Sequence, residues 1–203
     1  MSVARLGWCA TVVLASALCV LPQHTVAQDA DDLLPPPGLG SLRQEDLAVR
    51  LDGPNVEIRL MPLDELILRL LASDSYRSLH ALRETKDAEM GRLAERFGVI
   101  EPVAFLVTVF AKQEQAAFDP EQVTIISRNR LFRPIGILPI TPQWNQRRVS
   151  QRETAAAVYV FEPGIAMLEP FTAEYVGATS DQWAQSLRRV ERERARIASR
   201  QDR

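Results

Sequence analysis

Six arginines fall between positions 128 and 152, with no acid among them: Arg128, Arg130, Arg133, Arg147, Arg148 and Arg152. Phe132 and Trp144 are interleaved with them. A guanidinium presents a planar fork that bonds both oxygens of one phosphate or carboxylate. These six arginines and Trp144 are therefore the candidate anion- or partner-binding segment. The competing expectation is that the arginines solvate two connections while the aromatics lie buried beneath, because charge runs usually mark a solvated face.

Other residues offer less. His80, Glu84 and Asp87 share a helical spacing that puts three polar side chains on one face. Zinc favours more histidine or cysteine than this set supplies, so no metal is expected there. Nucleophilic catalysis has no G-x-S-x-G elbow and no S-x-x-K pair to build on. Glu153, Glu162, Glu169 and Glu174 are available for carboxylate chemistry of the glycosidase kind, which needs two acids facing one cleft. All four sit beside expected turns or strand ends, where acids are ordinary. Gly38-Leu39-Gly40 follows a proline run instead of a strand and has no third glycine, so it is not a phosphate loop. No catalytic residue and no cofactor are expected.

The first 27 residues read as an export signal. Arg5 gives the positive start, and Leu6 to Leu21 carry no charge. Pro22 then breaks the run, and Thr25-Val26-Ala27 places small residues at the cleavage positions. The apolar stretch is short of the ~20 residues that a spanning helix needs. Cys19 follows Leu18 and not the very small residue that precedes a lipid-modified cysteine. Cleavage near Ala27 would leave 176 of the 203 residues, without Cys9 or Cys19 and with His80 as the one histidine. The expectation is an exported, periplasmic or secreted chain with no later transmembrane span, held by its core rather than by disulfides. Its charge is uneven: residues 188–203 sum to +4 and residues 28–187 to −7.

The elements that must position these residues follow from periodicity. Residues 28–42, with Pro35-Pro36-Pro37, read as a stiff linker. Residues 43–100 read as a hairpin plus a helical segment. Val49-Arg50-Leu51 and Val56 to Leu60 alternate around Asp52-Gly53-Pro54-Asn55. Residues 63–97 then take helical spacing, with an interruption at Ser73-Asp74-Ser75 that offers N-cap chemistry, and Gly98 suits a C-cap. Residues 101–178 read as a strand-rich core. Its strands are expected at Ala104–Ala111, Val123–Ile126, Leu131–Ile140, Thr154–Phe161, Ile165–Leu168 and Phe171–Tyr175. Residues 179–203 read as a charged C-terminal helix with Ser180 as N-cap, Trp183 and Leu187 docked, and a solvated outer end.

The expected class is α+β, an antiparallel β-sandwich that resembles the immunoglobulin-like type in strand spacing, with a helical N-terminal insertion and a charged C-terminal helix. That architectural likeness carries no function with it. The expected role is a non-catalytic module that binds a protein or an anionic envelope component, not nucleic acid, through the arginine-rich connections. An extracytoplasmic hydrolase acting on a polysaccharide with carboxylates, or a small-ligand carrier, is the alternative.

Overall fold

A computed structural model describes residues 34–201. The export signal, its cleavage site and the start of the expected linker lie outside the described residues.

The alternating segments form two antiparallel sheets and a short ribbon. One sheet has the order β1-β2-β3-β9-β7: β1 (Val49–Asp52), β2 (Val56–Pro62), β3 (Val103–Ala111), β9 (Thr154–Phe161) and β7 (Pro134–Pro139). The other has the order β11-β10-β5-β6: β11 (Ala178–Ser180), β10 (Phe171–Tyr175), β5 (Val123–Ser127) and β6 (Arg130–Phe132). A ribbon pairs β4 (Ala116–Ala117) with β8 (Arg148–Val149). The first hairpin forms in the register its pattern requires, with Leu51 opposite Ile58, both buried. β3 is central, as its two apolar faces imply.

Period-2 burial sends Phe105, Val107 and Val109 of β3 and Tyr159 and Phe161 of β9 to the inner face. There Phe105 meets Phe171 of β10 edge-on, with ring centroids 5.8 Å apart, so the two sheets share one core. Tyr159 is the polar tip in that core; its hydroxyl donates to the Pro120 carbonyl at 2.7 Å. On one side of the sandwich β11 lies alongside β1. On the other, the chain crosses from β6 into β7 through the single residue Arg133.

Helices cover the remaining apolar faces. α1 (Gln44–Leu47) and α2 (Glu65–Leu68) are single turns, and α3 (Ser73–Phe97) is the long one. α3 lies over the outer face of β7, where Gly136 leaves room for the Leu93 side chain. A further turn, α4 (Gln143–Gln146), precedes β8, and α5 (Trp183–Gln201) closes the chain. Trp183 stacks on Phe171 with centroids 5.1 Å apart and donates its indole N–H to the Met167 carbonyl at 3.2 Å.

Several expectations need correction. Ile165–Leu168 is not a strand; Pro163 and Pro170 bracket it, and β10 pairs instead with β5 and β11. Leu131–Ile140 is not one strand but two, shared between the sheets. The α3 N-cap is Ala72, with no side-chain cap, and Ser180 ends β11 rather than capping α5. The outer part of α5 is packed, not solvated: Val190, Glu193 and Ile197 are all buried. Over its described part the proline stretch is docked. Leu42 exchanges backbone hydrogen bonds with Leu70 and Ala72.

Among the described residues no helix is long and apolar enough to cross a membrane.

Candidate functional site

The arginines of the 128–152 segment fall into two groups at opposite ends of β9. Arg133 precedes Pro134, which lies opposite Phe161, while Arg147, Arg148 and Arg152 precede Thr154 at the other end. Eight residues of strand separate the groups by about 25 Å at ~3.3 Å per residue. One contiguous anion site holding all of them is not what the fold builds.

Three of these arginines adopt left-handed backbone, with φ of 50° at Arg128, 53° at Arg147 and 67° at Arg152. Arg128 and Asn129 (φ 59°) are the two central residues of the turn between β5 and β6, and both must be left-handed for a tight hairpin of primed type. Arg147 is the C-cap of α4. Such backbone is uncommon for a non-glycine residue and is held only where the surroundings fix it.

Charge pairing then sorts them. Arg128 Nε donates to Glu169 Oε2 at 2.8 Å, and its Nη2 bonds the other carboxylate oxygen. That hydrogen-bonded fork holds the Glu169 carboxyl below its ordinary value. Arg130 pairs with Glu162 and lies over the Phe132 ring, 4.7 Å from its centroid. Arg147 pairs with Glu121 at 3.1 Å. Arg133, Arg148 and Arg152 are exposed, with no ion pair to any described residue. Trp144 is only 3% exposed and packs edge-on against Phe118 and Tyr159, so it is a core residue and offers no surface to a ligand.

Around Arg133 the fold assembles what sequence spacing did not show. A groove of about 430 Å³ is lined by Phe97, Leu131, Pro134 and Ile135, with Arg130, Arg133 and Glu162 on its margin. Phe97 is 51% exposed and Leu131 48%, high for large apolar side chains. Arg96 sits over the Phe97 ring at 5.7 Å. Phe97 lies one residue inside the Gly98 cap, past the buried Ala94.

A second groove, of about 550 Å³, opens between the N-cap of α2, α3, the start of β3 with the two residues before it, and the turn at 163–164. It gathers Asp64, Asp87 and Glu101 with Arg83. Asp64 caps α2, its Oδ1 accepting the Leu66 and Ile67 amides at 3.0 and 3.3 Å. Burial pushes the Asp64 carboxyl above its ordinary value despite those bonds and despite Arg83. Arg83 itself donates to the Leu63 carbonyl at 3.0 Å.

Beside it, Glu65 accepts Arg69 Nε at 2.7 Å and the Tyr76 hydroxyl at 3.0 Å, and meets His80 Nδ1 at 3.2 Å. Burial opposes the Glu65 charge, but these three partners outweigh it and hold the carboxyl low. His80 stacks on Tyr76 and leaves Nε2 3.6 Å from Glu84. Among the described residues no group of three or more His, Cys, Asp or Glu is placed to hold a metal ion. Of the four glutamates singled out for carboxylate chemistry, Glu162 and Glu169 are engaged by arginines, and none of the four lines the groove of Asp64; Asp87, singled out beside His80, does. Nothing in the sequence flagged Asp64 beyond its place ahead of a leucine-rich turn.

No family model, curated protein or solved structure matches this chain.

Proposed function

We propose that this protein is an exported, non-catalytic interaction module, with an immunoglobulin-like sandwich as scaffold, that contacts an anionic protein or envelope component. The contact surface is the end of the sandwich that carries Arg128, Arg130 and Arg133. One observation carries this reading: the exposed apolar groove of Phe97 and Leu131 is edged by Arg130 and Arg133 against a single acid, Glu162, and Arg96 lies over the Phe97 ring. Exposed aromatic and aliphatic side chains beside arginine are the composition of a recognition surface. The two sheets hold the connections that carry it. The signal-like N-terminus supports export.

Affinity capture from envelope extract tests the reading. The native chain runs beside a variant with Arg130 and Arg133 changed to serine and another with Arg148 and Arg152 changed. A partner kept by the second variant and lost by the first, with both folded by circular dichroism, supports the proposal. Equal capture by all three retires this surface.

The second reading is a carboxylate hydrolase, and it rests on the second groove. Burial raises the Asp64 carboxyl, and Asp64 lines that groove with Asp87 and Glu101, so one cleft holds a candidate acid and two candidate partners. Release of reducing sugar from polysaccharides that is abolished in both Asp64→Asn and Asp87→Asn, with folding intact, would establish it. No turnover by the native chain removes it.

A further inference from the structure

β6 and β7 each end a sheet, with no further strand beside them among the described residues, and they are not equivalent. β7 begins and ends in proline, Pro134 and Pro139, which remove backbone donors from that edge. It also carries a register shift between Pro134 and Gly136. Prolines and bulges are how an edge strand is protected from pairing. β6 has neither.

The ladder shows which groups β6 leaves open. Ser127 and Arg130 close a two-residue turn, so they form the hydrogen-bonded pair of the hairpin. Alternation along an antiparallel ladder makes Ile126–Leu131 the non-bonded pair. The N–H and C=O of Leu131 therefore point away from β5, toward the open edge. The same residue carries the exposed apolar side chain of the groove, facing Phe97 across it. Arg130 and Arg133 flank it on either side in sequence, and Arg96 lies behind Phe97.

We infer that β6 is an acceptor strand for an extended segment of a partner protein in which acidic and apolar residues alternate. This rests on the interaction reading above and names its occupant. The segment adds antiparallel or parallel to β6, exchanging main-chain hydrogen bonds with Leu131. Its apolar side chains enter between Phe97 and Leu131. Its carboxylates meet Arg133 and Arg96, which pair with no acid among the described residues, and the Arg130–Glu162 pair borders the site. Charge chooses the partner: a basic segment would set like charges against this rim.

The test uses the purified protein and a fluorescent decapeptide of alternating Asp and Leu. Three controls accompany it: alternating Lys and Leu, alternating Asp and Ser, and the Asp–Leu peptide N-methylated at every residue. Strand addition predicts saturable binding of the Asp–Leu peptide and at least tenfold weaker binding of each control. It also predicts at least tenfold weakening in Arg133→Ser and in Leu131→Ser, with amide chemical shifts confined to residues around 96–97 and 130–135.

Unchanged affinity of the N-methylated peptide overturns strand addition, because it lacks the donors while keeping side chains and charge. Equal binding of the Asp–Ser or the Lys–Leu peptide overturns the groove or its charge preference. No binding of the Asp–Leu peptide overturns the inference alone if capture of an envelope partner still depends on Arg130 and Arg133. Loss of that dependence as well overturns both readings.

Discussion

The Glu193 carboxylate accepts the Ser41 backbone N–H at 2.6 Å and the Ser41 hydroxyl at 2.8 Å, joining positions 152 residues apart. Arg196, one turn further along α5, donates to both Glu193 oxygens and to the Leu39 carbonyl at 2.6 Å. Glu193 is 6% exposed, so its charge is satisfied by protein and not by water. This contact clasps the proline stretch to the C-terminal helix. Together with the Leu42 hydrogen bonds to Leu70 and Ala72, it seats residues whose composition reads as a linker.

Breaking the clasp has a defined pH signature. The Arg196 hydrogen bonds, with those of Ser41, hold the Glu193 carboxyl below its ordinary value. A carboxyl lowered in the folded state contributes stability that is complete above its unfolded value and is lost as pH falls through the folded one. Glu193→Ala should therefore destabilise by about 3 kcal/mol at pH 7, given several charge-assisted bonds lost. Near pH 3 its deficit should shrink. Urea unfolding at both pH values measures the difference, and equal deficits would show that the charge is not what stabilises the clasp.

Asp64 has the opposite sign. Burial raises its carboxyl, so its titration contributes stability at low pH that fades as pH rises through the raised value. Asparagine can still accept the Leu66 and Ile67 amides without carrying charge. Asp64→Asn is expected to unfold no sooner than the parent at pH 7, whereas Asp64→Ala, which loses the cap, should lose about 1 kcal/mol. Thermal melts of the two variants decide it.

Close approach of backbone makes Gly40 irreplaceable. A Cβ there would lie 2.2 Å from the Leu70 carbonyl carbon and 2.3 Å from its oxygen, both main-chain atoms that cannot turn aside. Gly40→Ala should cost about 1–3 kcal/mol and raise proteolysis at residues 35–42. Parent-like stability would mean that the strap is not seated where the Leu42 and Ser41 bonds place it.

The turn at Arg128-Asn129 should improve on substitution. Glycine carries left-handed φ without the penalty that asparagine meets, so Asn129→Gly is expected to stabilise by about 0.5 kcal/mol. Arg128→Gly relaxes the same backbone but gives up the fork to Glu169. A melting point that falls in Asn129→Gly would show that the turn is fixed by something other than its φ values.

Trp144 separates packing from recognition. Trp144→Ala removes a buried ring between Phe118 and Tyr159 and should lose about 3–5 kcal/mol. Arg148→Ser, at an exposed position nearby, should change stability by less than about 0.5 kcal/mol. Near-equal effects in chemical unfolding would contradict the buried assignment.

Sequence alone determined the local elements whose period was unambiguous. The β1–β2 hairpin, β3, β9, α3 with its Gly98 end and α5 with its docked Trp183 and Leu187 all follow from alternation or 3–4 spacing. It also marked the six arginines between positions 128 and 152 as one acid-free segment. Tertiary structure decided everything that depends on which distant segments meet. Arg147 and Arg148 lie near Arg133 in sequence, yet β9 holds them a strand's length away. Glu162 and Glu169 neutralise two arginines, while Phe97, 34 positions before Leu131, completes a groove with it. Period and composition are properties of neighbours along the chain, so they reach about as far as one strand or helix. Register between sheets, the pairing of charges and the exposure of an apolar residue at a helix end are fixed by packing, which brings together positions that no local pattern relates.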